Sequence, residues 1–157
     1  FGAGILLTGN SGVGKSETAM ELIKRGHRLV ADDSVLIKRI ENELVGTAPE
    51  RIRYFMELRG IGIINVKNMY GSGAVMTEKA IELVMELEPW RKDKEYDRIG
   101  GEDSKETILG LEIPKLTVPV SAGRNLAILI EVAARDQRLK GMGYDAASEL
   151  IARTIGR

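Results

Sequence analysis

The chain has 157 residues, 23 basic side chains balanced by 23 acidic ones, one histidine and no cysteine. That length suits a single domain able to bury roughly two-thirds of the surface its unfolded form exposes. The balance excludes a global field for nucleic acid or an anionic membrane, and the missing thiols exclude disulfides and thiolate metal sites. No apolar stretch approaches the ~20 residues of a membrane span and no signal peptide is visible, so a cytoplasmic protein is expected. Any polyanion site must therefore be local. Opening at Phe1-Gly2 without an initiator Met and running almost at once into an apolar strand, the sequence is expected to be a piece of a longer protein.

Ile5-Leu6-Leu7 reads as a buried strand, and Gly9-Asn10-Ser11-Gly12-Val13-Gly14-Lys15-Ser16 follows it as a full Gly-x-x-x-x-Gly-Lys-Ser loop. Glycines at these spacings let backbone N–H groups turn inward around phosphate oxygens, while Lys15 adds a point charge and Ser16 a hydroxyl for Mg²⁺. A helical pattern from Lys15 to Arg25 comes next, its N-terminal dipole facing the anion, and it ends at Gly26. Arg28-Leu29-Val30-Ala31 is predicted as a second buried strand, parallel to the first. Val35 to Ile40 continues as a strand, Glu41-Asn42 as a turn, and Leu44-Val45 as a return strand. The start at Pro49 and the spacing of Ile52, Phe55 and Met56 predict a short helix to Leu58. Gly60 to Val66 is glycine-spaced and apolar, a buried strand or tight turn. Ile81, Leu83, Met85 and Leu87 alternate with Glu82, Val84, Glu86 and Glu88, which predicts a strand. Residues 91 to 106 are charged, glycine-punctuated and aperiodic, a long surface loop of the kind that is either functional or disordered. Lys115 to Val120 is a strand, Asn125 to about Lys140 an apolar helix, and Asp145 caps a last amphipathic helix with Leu150 and Ile151. With no internal repeat or low-complexity linker, the whole reads as one α/β domain with a partly antiparallel sheet.

Parallel strands joined by a crossover helix end on one edge of their sheet, so Asp32 and Asp33 should lie beside the phosphate loop. One of the pair suits Mg²⁺, directly or through water; the other could reach a hydroxyl or a water as a base. Lys15 and Arg98 are the candidate cations for a transferring phosphoryl group, although a loop arginine such as Arg98 is more often simply solvated. Glu57 is either a metal ligand or a solvent-facing side chain, and His27, next to the helix-ending Gly26, reads as structural. No Asn-Lys-x-Asp motif for guanine occurs.

These residues resemble the catalytic domain of bacterial HPr kinase/phosphorylase. Gly9 to Thr18, Arg25 to Asp33, Glu57 to Asn65, Tyr96 to Gly100 and Gly123 to Ala127 carry the likeness, which runs from Phe1 to the last helix. The resemblance implies a P-loop α/β fold similar to the nucleotide-binding core of phosphoenolpyruvate carboxykinase, with a mixed sheet and flanking helices. It implies phosphorylation of a regulatory serine of HPr, the phosphocarrier of the sugar phosphotransferase system, from ATP or pyrophosphate. It also implies removal of that phosphate by inorganic phosphate, releasing pyrophosphate, in a homohexamer. Lys15 and the loop amides would hold the β-phosphate, and Ser16 and Glu57 would contact Mg²⁺, with Asp32 supporting the metal or the orientation of Asp33. Asp33 would be the base in the kinase direction and the acid in reverse, and Arg98 the catalytic arginine. Met56 to Asn65 matches the family signature for both activities. Pro119-Val120-Ser121-Ala122-Gly123-Arg124 would be the loop tied to dephosphorylation, and the 91–106 loop the mobile element that meets HPr and phosphate.

The family pattern has Asp where Asn10 stands, so one negative charge near phosphate is gone. Its later loop reads Pro-Val-Arg-Pro-Gly-Arg, whereas Ser121 and Ala122 occupy the middle here, a lost cation that weighs against efficient phosphorolysis. A family histidine lies upstream of the first strand, before Phe1. The other readings open to the sequence are a small-molecule kinase on the same scaffold and a nucleotide sensor without turnover.

Overall fold

The elements follow in the order β1 (Ile5–Thr8), α1 (Lys15–Lys24), β2 (Leu36–Ile40), β3 (Glu43–Thr47), β4 (Phe55–Leu58), β5 (Gly62–Asn65), α2 (Val66–Tyr70), β6 (Glu78–Ala80), β7 (Leu83–Pro89), β8 (Ser104–Ile108), β9 (Leu111–Val120), α3 (Leu126–Gly141) and α4 (Ala146–Ile155). The computed structural model describes residues 2–90, 104–120 and 125–155. The main sheet has the order β1-β7-β9-β8, parallel except for β8, which runs antiparallel to β9. Two smaller sheets flank it: β2-β3-β6, and the hairpin β4-β5. This is the mixed sheet with flanking helices that the sequence predicts.

Burial explains the central strand. Leu83, Val84, Met85 and Leu87 are all buried, so β7 is covered on both faces where simple alternation would leave one face wet. Leu83 and Met85 pack with Ile130 and Ala133 of α3, joined by Ile5, Leu7, Leu22, Leu116 and Val118. The buried α3 positions Ala127, Ile130, Ala133 and Ala134 recur at three- and four-residue spacing, which is one helix face. Asn125 starts that helix as predicted, its Oδ1 accepting the Ile128 amide at 3.2 Å. Asp145 likewise caps α4, accepting the Ala147 amide at 3.2 Å. Each large aliphatic side chain taken out of water in this cluster contributes about 1.5–3 kcal/mol.

A second cluster, Ile23, Leu29, Met56, Val66, Ala74 and Val75, holds α1 against the β4-β5 hairpin. Here the structure departs from several expectations. The predicted strand at Arg28 to Ala31 is reduced to one parallel bridge between Leu29 and Val75, and it does not pair with β1. The predicted helix from Pro49 to Leu58 is a single 3-10 turn, Glu50–Ile52, followed by β4. The turn ends at Ile52, since Arg53 is already extended at φ −59 and ψ 132; Tyr54, with φ +76, then reverses the chain into the strand, where Phe55 points out, Met56 in and Glu57 out. Gly62 to Asn65 does form a strand, but Ile61 and Ile63 are 74% and 73% exposed, so it is not buried. The predicted loop to residue 106 ends earlier, since Ser104 opens β8. The predicted hairpin at Glu41-Asn42 forms, Ile40 pairing with Glu43, and Glu41 takes φ +55.

A Cβ on Gly4 would sit 1.8 Å from the backbone oxygen of Ala80, with no flexible side chain to yield. Gly4→Ala is therefore expected to lower stability by about 1–3 kcal/mol through overpacking. The urea midpoint measures this, and an unchanged midpoint would contradict the close backbone approach.

Candidate active site

Gly9, Gly12 and Gly14 take φ values of +140, +87 and +102, which lets the chain wrap from the end of β1 into the first turn of α1. Gly9 is also pressed against the sheet, since a Cβ there would lie 2.4 Å from the Leu87 carbonyl oxygen. Asn10 is exposed and takes part through its backbone, its carbonyl accepting the Val13 amide at 3.2 Å. The Lys15 ammonium folds back over the loop and donates to the Gly9 carbonyl at 2.7 Å and the Asn10 carbonyl at 3.3 Å. Ser11 stays exposed on the loop's outer side.

Ser16, on the first turn of α1, donates its hydroxyl to Asp32 Oδ1 at 2.9 Å. The second oxygen of Asp32 accepts the backbone N–H of Glu57 at 3.1 Å. The structure thus brings Asp32 to the phosphate loop although the strand expected to deliver it is a single bridge. Asp33, exposed beside it, lines the same cavity of about 720 Å³ as Lys15, Ser16 and Asp32. Glu57 lies on β4 rather than at a helix end, its backbone bound to Asp32 and its side chain exposed. Pro119 and Val120 end β9 opposite Glu88 and Pro89. Arg98 and the loop residues Ser121, Ala122, Gly123 and Arg124 lie outside the described residues, as does most of the 91–106 segment.

The available donors are oxygens, a serine hydroxyl beside a carboxylate. Such a set fits a hard cation like Mg²⁺, which takes its other ligands from phosphate and water. Among the described residues no trio of His, Asp and Glu side chains converges as a closed metal cage.

Two features escape sequence reading. The Arg59 guanidinium, in the β4-β5 turn, comes to 3.3 Å from the point a Cβ on Gly12 would occupy. At the other end of α1, Glu131 of α3 receives Arg25 Nη2 at 2.6 Å and contacts His27 Nε2 at 2.7 Å. His27 is structural, as predicted, and its partner gives that word content. The hydrogen bonds from Arg25 and then His27 hold the Glu131 carboxyl well below its ordinary value of 4.5, at about 2. A lowered folded pKa stabilises above the unfolded value and is lost as pH falls toward the folded one. Acid unfolding should therefore deepen between pH 4.5 and about 2, and Glu131→Gln should flatten that part of the stability profile. A variant with the wild-type acid profile would remove Glu131 as its source.

A glycine loop between a parallel strand and a helix, with a lysine, a serine and a carboxylate converging on it, defines a phosphate-loop α/β domain. The family model described as the HPr serine kinase C-terminal domain matches residues 1–154, and the chain belongs to that family. It is 60% identical over 151 residues to the HPr kinase/phosphorylase of Caldanaerobacter subterraneus subsp. tengcongensis, covering 96% of this chain and 50% of that protein. Identity to the enzyme of the same name from Geobacillus kaustophilus is 58% over 154 residues, covering 98% and 50%. The HPr(Ser) kinase/phosphatase structure from Coxiella burnetii superposes with a TM-score of 0.83 at 38% identity, covering 94% of this chain and 90% of that one. The chain spans about half the length of the curated relatives it matches.

Proposed function

We propose that this domain carries the phosphoryl-transfer site of an HPr kinase/phosphorylase, working reversibly on a serine of HPr with ATP or pyrophosphate as donor. The observation that carries the reading is the Ser16–Asp32–Glu57 chain of hydrogen bonds, with Asp33 on the lip of the same cavity. The names of the relatives supply the partner.

In this reading the loop amides and Lys15 hold the polyphosphate. Exchanging the Gly9 and Asn10 carbonyls for phosphate oxygens gives the ammonium ionised acceptors in place of neutral ones. Ser16 and Asp32 would hold Mg²⁺, with Glu57 as the further carboxylate at hand, and the ion supplies charge neutralisation on the phosphoryl oxygens. Asp33 takes the serine proton as the serine oxygen bonds to phosphorus and the bond to the leaving phosphate breaks. In reverse, an oxygen of inorganic phosphate bonds to the phosphoserine phosphorus. The serine oxygen then leaves with the proton from Asp33, and pyrophosphate is the product. Arg98 would add charge to the transferring group, and Pro119 to Arg124 would shape the phosphorolysis side. Assembly as a homohexamer and a cytoplasmic location belong to the same proposal. The exposed Leu150, Ile151 and Ile155 of α4 support a partner face, and among the described residues no helix is long and apolar enough to cross a membrane.

Incubation with HPr, ATP and Mg²⁺ should yield phosphoserine, and Asp33→Asn should slow that reaction by about 10²–10⁴ while polyphosphate binding persists. Full rate in the variant would remove Asp33 as the base. Phosphoserine-HPr with inorganic phosphate should release pyrophosphate. Release of free phosphate alone, or no reaction, would exclude phosphorolysis.

A further inference from the structure

The turn between β4 and β5 carries a cation to the phosphate loop, and no hydrogen bond or ion pair among the described residues uses it. Leu58 and Gly62 close the hairpin, the Leu58 carbonyl accepts the Ile61 amide at 3.1 Å, and Gly60 takes φ +86. Arg59 sits at that reversal, with Nη2 3.3 Å from the Cβ position of Gly12. The hairpin is held at both levels beneath it. Met56 is 1% exposed in the cluster with Ile23 and Leu29, and the next residue, Glu57, donates its amide to Asp32. Arg59 therefore approaches the loop from a fixed strand pair.

An exposed arginine is ordinarily just solvated. Three observations separate this one. Its guanidinium lies over the glycine crest of the loop, where backbone N–H groups are arranged for an anion. It makes no hydrogen bond or ion pair among the described residues, whereas Arg25, Arg28, Arg39 and Arg153 each have an acceptor within the fold. Lys15, the other cation at the loop among the described residues, rests on the Gly9 and Asn10 carbonyls at the loop's start, so Arg59 is a second positive charge placed at its crest. A planar guanidinium with several donors, kept near a positive cradle without a carboxylate partner among the described residues, matches a phosphate group that can take two of its N–H bonds at once.

We propose that Arg59 is a direct ligand of the terminal phosphate of a polyphosphate seated on the loop. Its charge rests on the group being transferred in the kinase direction and on the attacking inorganic phosphate in the reverse one. This rests on the phosphoryl-transfer reading above, and it adds a cation on a rigid hairpin to the one that reading gives Arg98.

Calorimetric titration of the chain with Mg²⁺ and ATP, ADP or pyrophosphate tests it against Arg59→Ala and Arg59→Lys, with the urea midpoint of each variant as the folding control. Arg59→Ala should keep the wild-type midpoint and weaken ATP and pyrophosphate about ten- to a hundredfold, as loss of a hydrogen bond to a charged group does. ADP, which lacks the terminal group, should weaken much less, and Arg59→Lys should recover part of the loss. Equal affinities in wild type and Arg59→Ala, or equal losses for ADP and ATP, would overturn the assignment. If the wild type binds these ligands yet never phosphorylates HPr, the functional reading falls while the binding comparison still decides the role of Arg59. If the wild type phosphorylates HPr and Arg59→Ala binds and turns over as well, only the arginine assignment falls. Absence of binding by the wild type overturns both.

Discussion

The carboxylate of Asp32 accepts from the Ser16 hydroxyl on one oxygen and from the Glu57 amide on the other. Through it the start of α1, the segment leaving the Leu29 bridge and the β4-β5 hairpin share a single anchor. Hydrogen bonds to an ionised acceptor are worth more than neutral ones, and both of these lie at the lip of a cavity where water competes for them. The apolar cluster around Met56 and Leu29 keeps the partners aligned when either bond opens. Serine's role is compatible with this anchor: its hydroxyl hydrogen is given to Asp32, which leaves oxygen lone pairs for a cation.

Much of this was legible in the sequence because its chemistry is local. The loop from Gly9 to Ser16 needs only its own glycines, and the caps at Asn125 and Asp145 act within a turn of their helices. The strand at residue 83 was visible too, since apolar Ile81, Leu83, Met85 and Leu87 recur at every second position even though both faces are covered. Prediction failed where one spacing fits two periods. Ile52, Phe55 and Met56 suit a helix face, yet Phe55 and Met56 point to opposite sides of a strand. What decides between them is the extended Arg53, the left-handed Tyr54 and the pairing of Phe55 to Leu58 with β5, none of which the neighbouring residue types announce.

The acid pair was expected beside the loop for a reason that proved incomplete. A second parallel strand was to deliver it, but only Leu29 makes a bridge, and side-chain bonding to Ser16 and Glu57 does the rest. The contacts of Arg59, a residue inside the Met56–Asn65 signature, and of Glu131 were invisible for a related cause. They join residues far apart in sequence, Gly12 with Arg59 and Arg25 with Glu131, and depend on how the hairpin and α3 are packed.

Gly9 and Gly14 bound the phosphate loop in unequal ways. The first has a backbone oxygen close to where its side chain would go, and a side chain on the second would enter open space. The loop has, in effect, a rigid heel wedged against β7 and an unobstructed toe leading into α1. The heel preserves the distance between the sheet and the Lys15 ammonium, and the toe is tied to α1 by the Thr18 amide, which donates to the Gly14 carbonyl at 3.0 Å.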